Sequence, residues 1–277
     1  MRRPLFVLLL KICRFFIMNR IIIFIAYLLT LSLTTAAQEN DSVNITDEKG
    51  RKQGPWISSY PNGHARYEGV FKNNHPVGEF KRYFEDGTLM SIMVYSDDGE
   101  EVDATIYHPN GFIASKGKYI NQEKEGKWSF YSYFYENYLI NDEEYRDNKK
   151  NGTSVKYYPD TTVFELLNYV DDKKEGDWIQ YYPDGKLFLK GSYSNDLLNG
   201  LFEVWYENGQ KEISGNYKNN FRDGPWMIFS EEGEIKYEIN YEMGMTKDKQ
   251  MDIDHTNLME KLEKNQDKIA DPEKTLR

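Results

Sequence analysis

A hairpin-like segment that recurs about every 24 residues constrains this chain more than any other feature. One clear copy runs from Gly176 to Asn195, GDWIQYYPDGKLFLKGSYSN. Its Pro183-Asp184-Gly185 predicts a turn, because proline presets φ and glycine accepts a positive φ. The flanking residues 178–182 and 186–193 are rich in aromatic residues and read as strands. The segment is therefore predicted to be a β-hairpin.

Eight such units can be aligned on the residue that precedes their first aromatic strand. Units 1 to 8 begin at Gly54, Gly78, Val102, Gly126, Gly152, Gly176, Gly200 and Gly224. The step is 24 residues except for one step of 26. The turn positions follow the same step: Gly63, Gly87, Gly111, Asn137, Thr161, Gly185, Gly209 and Gly233. Spacing this regular predicts a repeat architecture.

Aromatic residues fill three columns of this alignment. Two residues after the unit start stand Trp56, Phe80, Ala104, Trp128, Ser154, Trp178, Phe202 and Trp226. Five residues after it stand Ser59, Tyr83, Tyr107, Tyr131, Tyr157, Tyr181, Trp205 and Phe229. Eight residues after the turn stand Phe71, Tyr95, Tyr119, Tyr145, Tyr169, Tyr193, Tyr217 and Tyr241. The last column is aromatic in every unit.

One hairpin of this size cannot bury its aromatic face alone, since two strands are marginal in water. Hairpins stacked side by side pack their rings against neighbouring units. The predicted fold is all-β: an elongated single antiparallel sheet of about eight stacked β-hairpin repeats, with a short C-terminal helix or tail. Strand glycines such as Gly69, Gly117, Gly191 and Gly215 indicate that a neighbouring ring lies over the backbone.

Strand alternation separates the two faces only in part. Leu189, Gly191 and Tyr193 share one face of the second strand of unit 6, and the residues between them are polar. Trp178 and Tyr181 in the first strand differ by three, so regular pleating places them on opposite faces. Either a bulge rotates one of them, or both faces carry rings.

Units 3 to 5 depart from the pattern. Ala104 and Ser154 replace aromatic residues, and unit 4 has two extra residues near its loop at 133–136. A specialised binding region would explain this, as would sequence drift, which we favour slightly. Asp and Asn pairs between units, such as Asn73-Asn74, suggest either calcium sites or turns. We favour turns, because Asp and Asn are turn residues and amide pairs are weak calcium ligands.

The ends of the chain differ from the repeats. An apolar run after Arg20 that ends in Thr-Thr-Ala-Ala predicts a signal peptide over residues 1–37, cleaved after Ala37. Met18 is the better signal start, which makes residues 1–17 a candidate mis-assigned extension. The predicted organisation continues with a lead over 38–53, the repeat array over 54–244 and a charged helix or tail over 245–277. Thr256 or Asn257 is expected to cap a helix that runs to about Ile269.

Composition excludes several classes of function. Cys13, the one cysteine, lies in the predicted signal, so disulfides and thiolate sites are not expected beyond it. Residues 1–37 hold five of the 35 basic residues and no acidic one, which leaves 30 basic and 45 acidic residues, a net charge of −15. That charge argues against nucleic acid and anionic lipid as partners. The exported chain is expected in the periplasm, at the outer cell surface or secreted.

The units GPWISSYPNG…YEGVFKNN and GLFEVWYENGQKEISGNYKNN resemble the bacterial MORN repeat variant, in chains grouped as the YwqK-like antitoxin family. The resemblance covers about residues 47–243. It implies a sheet of stacked hairpins used for binding and brings no catalytic residues with it. An exported chain departs from a cytoplasmic antitoxin, so a toxin partner would have to be met outside the cytoplasm.

The sequence therefore favours a non-catalytic scaffold that binds an unknown protein partner, with an antitoxin-like or immunity-like role as one form of it. The alternative is glycan or peptidoglycan binding through the aromatic ladder. No enzyme activity, cofactor or metal site is predicted, because the four histidines are scattered without ligand spacing. Candidate partner-binding residues are Tyr83, Tyr107, Tyr131, Tyr157, Tyr181 and Trp205.

Overall fold

A computed structural model describes residues 43–265, and the side chains of residues 43–260. The predicted signal peptide and the tail beyond residue 265 lie outside these residues. The described chain forms one open antiparallel sheet of 18 strands and one helix, which confirms the predicted fold class. The strands are β1 (Ile45–Thr46), β2 (Lys52–Ser59), β3 (Ala65–Lys72), β4 (His75–Tyr83), β5 (Leu89–Tyr95), β6 (Glu101–Tyr107), β7 (Ile113–Ile120), β8 (Glu123–Tyr131), β9 (Leu139–Arg146), β10 (Lys149–Tyr157), β11 (Val163–Val170), β12 (Lys173–Tyr181), β13 (Leu187–Ser194), β14 (Leu197–Leu198), β15 (Gly200–Trp205), β16 (Lys211–Lys218), β17 (Phe221–Phe229) and β18 (Ile235–Tyr241).

The strands pair in the order in which the chain makes them. Strands β14 and β15 are two parts of one strand, because both pair with β13. The predicted lead over 38–53 contains β1, which pairs with β2 at Gln53 and Lys52. Each repeat thus contacts the repeat before it and the repeat after it.

The hairpin turns have the predicted chemistry. In unit 6, the Gly185 N–H donates to the Tyr182 carbonyl at 2.9 Å, and the Tyr182 N–H donates to the Lys186 carbonyl at 2.8 Å. Gly185 has a φ of 82°, which glycine adopts without a steric penalty. Thr161 (φ 72°) and Asn137 (φ 59°) hold the same conformation in units 5 and 4.

The glycine that starts a unit lies inside its strand, a role that the alignment did not reveal. Gly78, for example, has a φ of 63° next to a register shift between β3 and β4. Unit 3 has Val102 at this position, and β5 and β6 pair without a shift. Valine is strained at positive φ, so the left-handed residue moves into the preceding turn, where Gly99 has a φ of 78°.

The polar pairs between units form turns with two left-handed residues, except at Asp97-Asp98, where Gly99 takes the positive φ. Asn73 and Asn74 have φ values of 54° and 72°. Both residues of such a turn need positive φ, which Asn and Asp tolerate better than other side chains. The second residue also bonds the previous unit: the Lys174 N–H donates to Asp196 Oδ1 at 2.8 Å, and the Asp196 N–H donates to the Lys174 carbonyl at 3.0 Å. These pairs therefore join neighbouring repeats.

One face of the sheet carries a ladder of aromatic rings, and we call it the ladder face. A Cβ on Gly215 would lie 2.1 Å from the Trp226 ring, and one on Gly117 would lie 2.2 Å from the Trp128 ring. This confirms that a ring of the next unit covers the strand glycine. Trp226 is fully buried and contacts the rings of Tyr217 and Phe202 at 5.0 and 5.9 Å between centroids.

The departures in units 2 to 6 are paired across neighbouring strands. At the junction of units 2 and 3, Met93 stands in place of the covered glycine and Ala104 in place of the covering ring. At the junction of units 4 and 5, Glu143 and Ser154 make the same two replacements. At the junction of units 5 and 6, Leu167 stands in place of the covered glycine and faces Trp178. The Trp178 indole N–H donates to Glu165 Oε2 at 2.9 Å. Large and small side chains thus exchange places at the first two of these junctions, whereas Leu167 and Trp178 are both large.

The C-terminal helix α1 (Lys249–Asn265) packs on the ladder face of the last units. The prediction that Thr256 or Asn257 caps it is wrong. Asp248 caps the helix, with its Oδ1 accepting the Met251 N–H at 3.1 Å. The earlier start brings His255, which is fully buried, against the rings of Trp226 and Tyr241 at 5.2 and 5.8 Å.

Candidate functional site: the second face of the sheet

The six predicted binding residues occupy equivalent places in the fold. Each is the last residue of the first strand of its hairpin, and each side chain is half-buried. Each pairs with the first residue of the next strand, as Tyr181 pairs with Leu187. The pairs are Tyr83 with Leu89, Tyr107 with Ile113, Tyr131 with Leu139, Tyr157 with Val163, Tyr181 with Leu187, and Trp205 with Lys211. The structure therefore joins the column and its apolar partners into one row, which we call the tyrosine stripe.

Hydrogen bonds place this stripe on the face opposite the ladder, which we call the second face. The Tyr83 hydroxyl donates to Glu68, and the Tyr157 hydroxyl donates to Asp142 Oδ2 at 2.9 Å. Glu68 and Asp142 directly precede Gly69 and Glu143, which belong to the ladder face, so their side chains point the other way. Both faces of the sheet therefore carry rings, one of the two alternatives that alternation left open.

A column of residues that sequence reasoning missed fixes the backbone beneath the stripe. The Tyr158 hydroxyl donates to the Tyr181 carbonyl at 2.7 Å, and the Tyr182 hydroxyl donates to the Trp205 carbonyl at 2.6 Å. Equivalent bonds join Tyr60 to Tyr83, Tyr138 to Tyr157 and Tyr206 to Phe229. Tyrosine six residues after the unit start was the available signal in units 1, 5, 6 and 7, whereas Tyr138 stands twelve residues after its unit start. These bonds hold consecutive members of the stripe in register.

Burial keeps the hydroxyls of Tyr83 and Tyr157 protonated. It raises the pKa of Tyr83 to about 12, and the hydrogen bond to Glu68 adds to the shift. Burial likewise raises the pKa of Tyr157 to about 12, with a contribution from Asp142. Each ring thus presents a neutral edge beside a carboxylate, a combination of apolar surface and hydrogen-bonding groups.

Basic side chains of the chain itself lie over some rings of the ladder face. The Lys124 ammonium lies 4.6 Å from the Trp128 ring centroid and 4.7 Å from that of Tyr145. The Lys174 ammonium lies 4.8 Å from the Tyr193 ring, and the Arg222 guanidinium 5.3 Å from the Tyr241 ring. Burial lowers the pKa of Lys124. Rings on both faces stay half-exposed, because Tyr95 and Tyr119 on the ladder face lie in the same burial range as Tyr83 and Tyr181 on the second face.

The extra residues of unit 4 form an exposed aromatic loop next to the stripe. Tyr133, Phe134 and Tyr135 are 46, 56 and 55% exposed. The Ser132 hydroxyl accepts the N–H groups of Phe134 and Tyr135, and the Tyr133 ring packs on His108 at 5.2 Å. The loop has a defined conformation and enlarges the apolar surface at the turn edge of the sheet.

The described histidines take local roles. His64 Nδ1 lies 2.9 Å from the Glu85 carbonyl, and His108 Nε2 lies 3.2 Å from the Tyr131 carbonyl. Within residues 43–260, no three His, Cys, Asp or Glu side chains come together as a metal site requires. In that same part of the chain, no helix has the length and apolar character needed to cross a membrane.

The stacked hairpins and their register define a repeat scaffold. Four segments match the family described as MORN repeat variant: residues 76–97, 174–195, 198–219 and 222–243. The predicted repeat type is therefore confirmed at units 2, 6, 7 and 8. Such repeats suggest a scaffold for protein or membrane interaction and are typically non-catalytic. No curated protein matches the chain.

Proposed function

We propose that the chain is a non-catalytic scaffold that binds a protein partner across the tyrosine stripe. The observation that supports this most is the row of half-buried rings on the second face, opposite a ladder face where Lys124 and Lys174 lie over some of the rings. Tyr83, Tyr107, Tyr131, Tyr157, Tyr181 and Trp205 are the proposed contacts. Tyrosine and tryptophan supply large contact areas at low side-chain entropy cost.

Charge points to the chemistry of the partner. The chain has 45 acidic and 35 basic residues, and carboxylates such as Glu68 and Asp142 flank the stripe. A partner with an apolar strip bordered by basic side chains would match this surface. Asp142 is itself paired with Lys127 at 2.7 Å, so a lysine of the partner would take the place of Lys127 in this ion pair.

The setting that we propose for this binding is outside the cytoplasm, after export through the predicted signal peptide. The partner would be met in the periplasm, at the outer cell surface or in the medium. An immunity-like role, in which the stripe covers a toxin, is one form of this function. It rests on the resemblance of the units and on the open sheet.

Glycan binding is a second candidate, and one observation favours it. Tyr83 and Tyr157 each stand beside a carboxylate, so each of these two rings combines a flat surface with a neighbouring hydrogen-bond acceptor. Sugars stack on flat rings and donate hydroxyl hydrogen bonds to such acceptors. Peptidoglycan would be the substrate class if the chain is exported.

The test compares the mature chain with Tyr157→Ser/Tyr181→Ser in affinity capture from the native host, followed by binding to the purified captured protein. Thr153→Ser/Asp177→Ser is the matched control, because these residues lie on the same strands at the far end of the second face. We expect the stripe variant to remain folded and lose the partner, while the control keeps it. Unfolding of the stripe variant, or unchanged capture, contradicts the proposal. Retention only on isolated cell wall indicates the glycan function instead.

A further inference from the structure

A cavity of about 420 Å³ lies between helix α1 and the last two units. It is separate from the tyrosine stripe, so a ligand site there is independent of the proposed function. Its lining includes Tyr206, Glu212, Lys236, Tyr237, Asp254 and Leu258. Its size lies within the range of small-ligand sites.

Glu212 occupies a position that the two preceding units use for packing. Units 5 and 6 place Phe164 and Phe188 there, and these rings make edge contacts with Tyr158 and Tyr182 at 5.3 and 5.2 Å. In unit 7 the equivalent tyrosine, Tyr206, lines the cavity together with the Glu212 carboxylate. The aromatic pair is thus broken at the point where helix α1 covers the sheet.

The Glu212 side chain is largely buried and lines the cavity. The residue is only 9% exposed, and none of the hydrogen bonds or ion pairs among residues 43–260 involves its carboxylate. Burial raises the pKa of Glu212, and the positive charge of Lys236 opposes this shift without forming an ion pair. Keeping an unpaired carboxylate in place of a packing ring costs stability. Such a cost indicates that the group has a use other than packing.

We propose that this cavity binds an organic cation, an alkylammonium or guanidinium group, with Glu212 as its counter-ion. Asp254 adds a second carboxylate at the rim, and with Lys236 the three charged side chains carry a net charge of −1 before the cation enters. Tyr206 and Tyr237 border the space with aromatic rings, which attract cations over their faces. The cation is supplied either by a free amine or by a Lys or Arg side chain of another protein.

The experiment titrates the full chain with n-butylammonium and follows the ring resonances of Tyr206 and Tyr237 by NMR. We expect saturable shifts at these rings and in helix α1, and binding that strengthens as pH rises and Glu212 loses its proton. Glu212→Gln should weaken binding at least tenfold. Glu234→Gln, an exposed carboxylate in the neighbouring turn, is the matched control and should leave the affinity unchanged.

Glu212→Phe tests the same claim through folding. It restores the residue found in units 5 and 6, so we expect a higher melting temperature together with loss of n-butylammonium binding. A lower melting temperature would show that the carboxylate has a structural role and would overturn the inference. So would the absence of saturable shifts in the parent chain, or equal affinity in Glu212→Gln.

A second titration separates the two sources of the cation. Nα-acetyl-lysine methylamide carries the same ammonium on a peptide-like backbone. Binding of both probes supports a side chain of another protein as the natural ligand, and binding of n-butylammonium alone supports a free amine. 1-Pentanol, which has no charge, should shift neither tyrosine; equal shifts with this alcohol would show that the cavity selects apolar chains and would overturn the cation assignment.

Discussion

Units 7 and 8 and units 3 to 5 reach the same hairpin geometry with different residues. In the former, Phe202 and Trp226 cover Gly191 and Gly215. In the latter, Ala104 faces Met93 and Ser154 faces Glu143. The comparison teaches that either of the two strands at a junction between units can supply its larger side chain.

The MORN repeat variant is matched at units 2, 6, 7 and 8, and units 3 and 5, where Ala104 and Ser154 replace the ring, are among the units without a match. Unit 5 nevertheless pairs with unit 6 through a full ladder of backbone partners. Departures in the middle of the array are therefore consistent with compensated drift. The aromatic loop of unit 4 is the exception, because its exposed rings fill no junction.

The largest expected effect contrasts two tryptophans in the same column. Trp226→Ala should cost about 3–5 kcal/mol, since it removes a fully buried ring from the last junction and from beneath helix α1. Trp178→Ala should cost about half as much, because Leu167 already fills that junction and the Trp178 ring is half-exposed. Urea unfolding of both variants checks this order. Equal losses would show that Leu167 does not compensate.

Two strand glycines provide the next contrast. Gly215→Ala should cost about 2–3 kcal/mol, because the new Cβ would lie 2.1 Å from the Trp226 ring. Gly191→Ala should cost less than about 1 kcal/mol, because its nearest ring atoms are 3.3 Å away. Chemical denaturation of the pair measures the difference. A Gly215→Ala variant as stable as its parent would mean that the ring does not lie over this backbone.

The covered end of the array should be sensitive to acid where the middle is not. Burial and, less strongly, Arg222 lower the pKa of His255 to about 3, from 6.5 in an unfolded chain. The unfolded state therefore takes up a proton first, and stability falls as pH drops from 6.5 towards 3, by about 1.4 kcal/mol per unit at most.

Amide exchange in helix α1 and β18 measures this loss, since both pack around His255. His255→Gln is the control and should flatten the dependence between pH 6 and 4. Amides of units 3 to 5 should follow the same curve in both proteins. A parent chain whose α1 protection does not change over this range would contradict the burial of a neutral His255.

The smallest effect concerns the tyrosine hydroxyls that join the turns. Tyr182→Phe removes the donor to the Trp205 carbonyl and should cost about 1 kcal/mol. Tyr138→Phe, in the lengthened loop of unit 4, removes the donor to the Tyr157 carbonyl and should cost the same. Thermal unfolding tests the match. If Tyr138→Phe leaves the stability unchanged, the hydroxyl bond in the middle of the array does not contribute as those of the regular units do.

Much of the fold was predictable because its determinants are local or periodic. The 24-residue step, the Pro-Asp-Gly turn of unit 6 and the ring over Gly215 all follow from residues visible in the alignment. The helix start was not predictable in the same way. It depends on His255, which sequence patterns treat as polar and which is buried only because Trp226 and Tyr241 are brought beneath it.

The location of the candidate site along the chain was predictable, but the full set of residues that form it was not. The column from Tyr83 to Trp205 could be drawn from spacing, but its apolar partners, such as Leu187, follow from a register shift at the strand end. The carboxylate of Glu212 was invisible for a similar reason. From the sequence alone, an acidic residue in a strand is predicted to face solvent. Its burial is recognised only once the helix that covers it is known.

The most direct test of the account is a double-mutant cycle at the junction of units 3 and 4. Gly117→Met and Trp128→Ala are made singly and together, which transplants the Met93–Ala104 pair of the preceding junction. Each single variant should lose about 3 kcal/mol or more, and the double variant should recover over about 1 kcal/mol of their sum. Strictly additive losses would contradict the claim that neighbouring repeats are held together by exchangeable volume.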